Sequence, residues 1–247
     1  MATYSGPDDL SGTEFIETNF AGSVFREVDL SGVRIRGALL NGADLDGVID
    51  GLRVNGVEVA PLVEAELDRL HPERTRLRPS TPDGMRIAWE TVEAFWAPTM
   101  ARAGSMPEQD VHRSVDGEWS FVQTLRHLLF VTDSWVRRGV LGERAPWHHL
   151  DLPPTGMTRV GGLDDADVRA SFDEVLALRA ERTAVVDAVM VELTDARLDE
   201  EVRAVGAGHP KAGLWPVRRC LEAQVNEEWR HRDYAERDLT KLTDRGS

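Results

Sequence analysis

Asn226-Glu227-Glu228-Trp229-Arg230-His231-Arg232-Asp233-Tyr234-Ala235-Glu236-Arg237-Asp238-Leu239 reads as a charged helix, and it carries the residues on which the rest of the chain can be organised. Residues four apart on a helix project side by side, so Glu227 and His231 can present one carboxylate oxygen and one imidazole nitrogen to a single point. A further histidine, His127, stands among Leu125, Leu128 and Leu129 much earlier in the chain. Supplied by a facing helix, it would close three corners of a metal site and leave one position for water or substrate. The structural alternatives are a Glu–His pair on a solvated helix face and a hydrogen-bonded core histidine.

Outward from this stretch the chain reads as helices. A first amphipathic segment runs from about Asp83 to Arg102 with Ile87, Val92, Phe95 and Met100 among its apolar positions, and Pro98 is expected to end or kink its last part. A second begins at Ser120, whose spacing to Gln123 makes a capping box, and carries Phe121, Leu125, Leu128, Leu129, Thr132 and Trp135 to a stop at Gly139. The third is expected from about Asp165 to Met190, with Val168, Phe172, Val175 and Leu176 on one face, and the fourth from about Leu214 to Leu239. Four long helices predict a four-helix bundle over 84–242, with room in the joins at 140–164 and 191–213 for crossover connections and for loops covering one end.

The N-terminal region has a different period. Leu10, Phe15, Phe20, Phe25, Leu30, Ile35, Leu40 and Leu45 recur every five residues, with small residues such as Thr13, Thr18, Ser23, Ala38 and Ala43 two places before them. Neither helix nor strand repeats at five, whereas a solenoid of stacked units can. The pattern resembles the pentapeptide-repeat family, whose units follow Ala-(Asp/Asn)-Leu-x-x; Ala43-Asp44-Leu45 is the nearest unit, while Val28 and Val33 replace the small residue. That resemblance implies a short right-handed quadrilateral β-helix. Four units per turn give only two coils, so the segment is expected to dock on the rest of the chain or on a partner. Asn55-Gly56 between alternating apolar residues predicts a closing hairpin, placing this unit at 6–60, with a short helix and linker over 61–83.

Composition narrows the function classes. A formal charge of −14 argues against nucleic acid and anionic membranes as partners, and no apolar run is long enough to span a bilayer. The single cysteine, Cys220, excludes an intramolecular disulfide, and Met1-Ala2-Thr3-Tyr4-Ser5 lacks the marks of a signal peptide, so a reduced, cytoplasmic protein is expected.

Glu118-Trp119-Ser120-Phe121-Val122-Gln123-Thr124-Leu125-Arg126-His127-Leu128 followed at long range by the 226–239 stretch is similar to the DinB-like superfamily of metal-binding four-helix bundles. Many members use three histidines; here Glu227 stands where the first of the last pair would be. A His, Glu, His set is similar to the mycothiol-dependent maleylpyruvate isomerase branch, which implies His127, Glu227 and His231 as ligands of zinc, with nickel, iron or manganese also compatible. The implied activity is a divalent-metal-dependent thiol S-transferase or isomerase, in which a metal-bound low-molecular-weight thiol attacks an electrophilic small molecule. From a different class comes a non-catalytic metal-binding scaffold whose pentapeptide segment recruits a protein partner. The family also implies a homodimer.

Further candidates surround the trio. Tyr234, one turn beyond His231, and His149, which with His148 follows Trp147 in a Pro-rich loop, are candidate catalytic or substrate-contacting residues. Glu228 is the alternative ligand if the helix is rotated. Cys220 shares nearly the same face of the helix and is read either as a soft ligand or as a small core residue.

Overall fold

The computed structural model describes residues 9–26, 28–154, 157 and 168–244. It is mostly helical, a bundle preceded by the repeat segment. The five-residue period becomes a ten-residue period of backbone turns. Amides of Thr13, Ser23, Val33 and Ala43 donate to carbonyls of Leu10, Phe20, Leu30 and Leu40 at 2.9–3.1 Å. The third residue of each turn needs positive φ, and Gly12, Gly22, Gly32 and Gly42 supply it at 72–74°. Asp9, Asn19 and Asp29 brace three of these turns by accepting from the amide two residues on, at 2.8–2.9 Å. The repeat's phenylalanines follow one another, with ring centroids 5.3 Å apart for Phe15 and Phe20 and 5.9 Å for Phe20 and Phe25. Among the described residues the segment is built of these turns rather than of paired strands.

A hairpin follows, β1 (Arg53–Val54) and β2 (Val57–Glu58). Both turn residues have positive φ, 50° at Asn55 and 84° at Gly56, as a two-residue turn of this hand requires. Helix α1 (Ala60–Leu70) and a 3-10 helix (Pro72–Leu77) occupy the predicted linker. Arg74 and Arg78 bind Glu64 and Asp68 of α1 at 2.7–3.2 Å, folding the linker back on itself.

The bundle consists of α2 (Pro82–Gly104), α4 (Phe121–Thr132) with its continuation, α5 (Phe172–Glu192) and α7 (Val217–Asp244), with a short α3 (Glu108–Val111) between the first two. Helix α4 opens with the predicted capping box, Ser120 and Gln123 satisfying each other's backbone amides. It continues through Asp133–Arg138 as a π-helical segment to Gly139. Glycine is needed there because a Cβ would sit 2.4 Å from the Trp135 carbonyl oxygen and 2.7 Å from Cys220 Sγ. Buried Met85, Leu125, Leu128, Val175, Leu221 and Val225 form one core, each large side chain worth about 1.5–3 kcal/mol of apolar burial.

Three boundaries differ from expectation. Helix α2 runs through Pro98 to Gly104, because Trp96, Thr99 and Ala103 around it are buried and hold the last turns in place. Helix α5 begins at Phe172, leaving Val168 in the preceding connection, and the rest of the expected start, 165–167, lies outside the described residues. Leu214 to Pro216 belong not to the last helix but to strand β4 (Gly213–Pro216), paired antiparallel with β3 (Glu201–Ala204) after a short α6 (Asp195–Leu198). A hairpin therefore fills the join expected to hold a crossover connection or a covering loop.

Charged groups are buried deep in the bundle. Glu228 of α7 makes a bidentate ion pair with Arg179 of α5 and accepts from Gln224 Nε2 at 3.0 Å. Asp133 accepts from Arg182 at 3.0 Å and Arg137 at 3.2 Å. Beside it lies Asp151, whose carboxyl is pushed up to about 8 by burial, then by the Asp133 charge.

Arg179→Ala leaves the Glu228 carboxylate buried without its partner and should cost about 3–5 kcal/mol in urea unfolding. Asp151 stays protonated in the folded chain while the unfolded carboxyl ionises near its ordinary value, so the stability it contributes is present below about pH 4 and declines as pH rises towards about 8. Asp151→Asn should match wild type near pH 4 and exceed it at pH 8, read from urea midpoints across that range.

Candidate metal centre

His127 projects from the middle of α4 with only 4% of its surface exposed. Its Nδ1 lies 2.9 Å from the carbonyl oxygen of Leu152. A carbonyl only accepts, so Nδ1 carries the proton and the Nε2 lone pair is left free to ligate. The 150–152 loop is fixed for this task by α4 itself, since Arg126 donates to the Leu150 carbonyl at 2.8 Å and the Leu152 amide donates to the Arg126 carbonyl at 3.2 Å.

On α7, Glu227 and His231 face that nitrogen. Glu227 Oε2 is 3.9 Å from His127 Nε2 and 3.3 Å from His231 Nε2, and one ligand atom of each residue lies within 4.8 Å of the others. Tetrahedral zinc with bonds near 2.0–2.1 Å separates its ligands by roughly 3.3 Å, so small rotamer adjustments would bring this set onto one ion. Burial alone would push the Glu227 carboxyl up, but the hydrogen bonds and charge that the two facing imidazoles supply when protonated outweigh it and hold the carboxyl well below its ordinary range. Burial depresses the His231 imidazole, favouring the neutral ring that a metal requires.

Residues 91–235 match the family model for the DinB superfamily, and residues 9–48 match eight copies of the pentapeptide repeat. The chain belongs to the DinB superfamily. No curated protein and no solved structure matches it. Metal binding is general in this superfamily, and among the described residues of this DinB-like bundle His127, Glu227 and His231 form a group that could hold an ion.

Other sequence candidates lie elsewhere or play different parts. Glu228 points into the bundle against Arg179 and is not available as the alternative ligand. Cys220 is a buried core residue near Gly139 and outside the converging group, and burial pushes its thiol up to about 12. The rings of His148 and His149 lie 4.2 Å apart, tilted by 43°, with His148 near Asp133 and Arg182, and neither joins the trio. Their loop serves the site through the Leu152 backbone instead. Tyr234 does lie against it, its ring 5.8 Å from that of His231.

Two neighbours escaped the sequence reading. Trp119 packs 4.7 Å from His127 and 6.0 Å from His231, covering both imidazoles. Its place directly before the helix cap was the available signal, since a large apolar residue there commonly packs back on the helix. His209 packs edge-on to Trp135 at 4.8 Å and lies 6.1 Å from Phe130, whose ring is 6.2 Å from His127. Buried Arg138 places it by donating to the carbonyls of Val205, Gly206 and Pro210 at 2.8–3.1 Å. No periodicity marks a histidine held this way.

The adjacent carboxylates separate ligation from packing. Glu227→Gln should weaken zinc binding, read by competition titration, by more than the roughly 10–100-fold lost when a hydrogen-bond partner of a ligand is changed, with little loss of stability. Glu228→Gln should do the reverse, lowering the unfolding midpoint.

Proposed function

We propose that the chain is a divalent-metal-dependent thiol S-transferase or isomerase acting on an electrophilic small molecule with a low-molecular-weight thiol as cosubstrate. The observation that carries this reading is the asymmetry of the trio. The side chains of His127 and His231 are 6% and 15% exposed, whereas that of Glu227 is 39% exposed. Three ligands on one side with an accessible edge on the other suit chemistry better than scaffolding.

A divalent cation, zinc by preference and nickel, iron or manganese as alternatives, would lower the pKa of a coordinated thiol and so supply a thiolate at neutral pH. His127, Glu227 and His231 would hold it. Trp119 shields the two imidazoles from bulk water on one side. The Tyr234 hydroxyl, pushed up to about 12 by burial and then by the nearby Asp46 carboxylate, remains protonated, and its ring lines the approach to His231. His209, which burial keeps neutral, can accept a proton near the same opening. Attack would form a carbon–sulfur bond while the thiol proton passes to solvent or to such a base, and the electron pair of the electrophile's double bond shifts onto its activating group and is protonated, or a leaving group departs with the pair of the bond it breaks. The product is then a conjugate, or an isomer if bond rotation and thiol elimination follow.

The scaffold reading rests on the repeat segment, where Phe15, Phe25 and Ile35 are 56%, 57% and 63% exposed. The two readings differ in whether the ion exchanges a ligand.

Elemental analysis of protein purified without chelators or metal-affinity resin should give about one divalent ion per chain, lost in His231→Ala. The visible spectrum of the cobalt-substituted protein should then change on adding a low-molecular-weight thiol. An inert spectrum would favour the scaffold, and a wild-type chain that takes up none of these metals would remove the basis for catalysis.

A further inference from the structure

The repeat segment touches the bundle where the candidate metal centre opens. Arg26 donates from Nη1 to the Gly117 carbonyl and from Nη2 to the Asp116 carbonyl, both at 2.7 Å, and its Nε lies 3.4 Å from Glu118 Oε1. One guanidinium thus grips three consecutive residues of the connection that ends in Trp119. The fit is close. A Cβ on Gly117 would fall 2.6 Å from Arg26 Nη1, and Gly117 also has a φ of +78°. Lys241 of α7 holds the same connection through Asp116 at 2.7 Å.

A second contact falls on the other ligand-bearing helix. Asp46 lies beside the hydroxyl of Tyr234, whose ring stands edge-on to His231 at 5.8 Å and face-on to the Arg237 guanidinium at 5.4 Å. Arg26 and Asp46 are separated by four pentapeptide units, one full coil of a four-sided solenoid, and so occupy equivalent positions in its repeat. One contact reaches the residue before Trp119, which packs on His127 and His231; the other reaches Tyr234, which packs on His231.

We propose that the repeat segment is the outer wall of this site, with Arg26 and Asp46 as positioning residues that hold Trp119 and Tyr234 against the ligand histidines and so limit the size of molecule that reaches the accessible edge. This rests on the metal-centre reading above. An array of two coils has too little core to be independent, and here its cross-links run to the walls of the site. Charge-assisted bonds to carbonyls suit such a role, because they fix a backbone without presenting another reactive group.

The test uses the full chain with Arg26→Ala, Arg26→Lys, Asp46→Asn, and, as control, Arg69→Ala, whose exposed partner Glu66 lies one turn earlier on α1. Hydrogen exchange of amides at 114–120 requires no metal. It should accelerate about tenfold in Arg26→Ala, less in Arg26→Lys, and not in the control. With metal bound at the wild-type ratio, Arg26→Ala and Asp46→Asn should lose zinc several-fold faster to a chelator, with the gain larger for a bulky chelator than for a small one. Unchanged exchange at 114–120, or zinc loss at the wild-type rate for both chelators, overturns the proposal. Failure of the underlying reading is distinguishable: exchange would still respond to Arg26→Ala, but wild type would hold no ion to remove.

Discussion

The bidentate pair between Glu228 and Arg179 sets the rotation of α7, and the site depends on that rotation. A carboxylate buried to this degree is tolerable only against a matched guanidinium, and Gln224 and Thr132 complete the network at 3.0 Å. With Glu228 committed to α5, its neighbour Glu227 lies about 100° around the helix and faces α4, where His127 stands. His231, one turn on, follows it. A slip of one residue would bury Glu227 and point Glu228 at His127, at the cost of every apolar contact made by Leu221, Val225 and Leu239. The ion pair therefore acts as a register device for the two side chains that face His127.

Buried arginines do the same for the loops. Arg126 and Arg138, among the largest fully buried side chains, spend their donors on carbonyls of segments that lack regular structure. A loop carbonyl inside a protein must find a donor, and guanidinium supplies several from one point. Arg126 thereby brings Leu152 to His127 Nδ1, and Arg138 brings His209 towards the same opening. Local order around the site comes from α4 and its continuation, the helix that also carries His127.

What could be read from the sequence was local. The five-residue period, the Ser120–Gln123 capping box, the Asn55-Gly56 turn and the four-residue spacing of Glu227 and His231 each depend on neighbours along the chain. What could not be read was set by burial. Pro98 stays helical because Trp96 and Ala103 are packed on either side. Leu214 and Trp215 pair with β3 although their apolar pattern continues into α7. His148 and His149 follow Trp147 in a Pro-rich loop and read as substrate-contacting candidates, yet the loop contributes a backbone oxygen instead. Arg26 was one arginine in an acidic repeat, and its partners lie ninety residues away.

The replacement of a third histidine by Glu227 has an electrostatic consequence for the chemistry proposed. Two neutral imidazoles and one carboxylate around a dication leave a net charge of one, and a thiolate at the fourth position brings the assembly to zero. Three imidazoles would leave it positive after the thiolate arrived. A neutral assembly is the least costly to bury behind Trp119 and Phe130, where water is scarce and unbalanced charge is penalised. The same carboxylate donates more charge to the ion than imidazole does, weakening its pull on a bound sulfur. It therefore favours a thiolate that is held without excess charge yet remains electron-rich enough to attack carbon, which suits transfer chemistry better than permanent ligation.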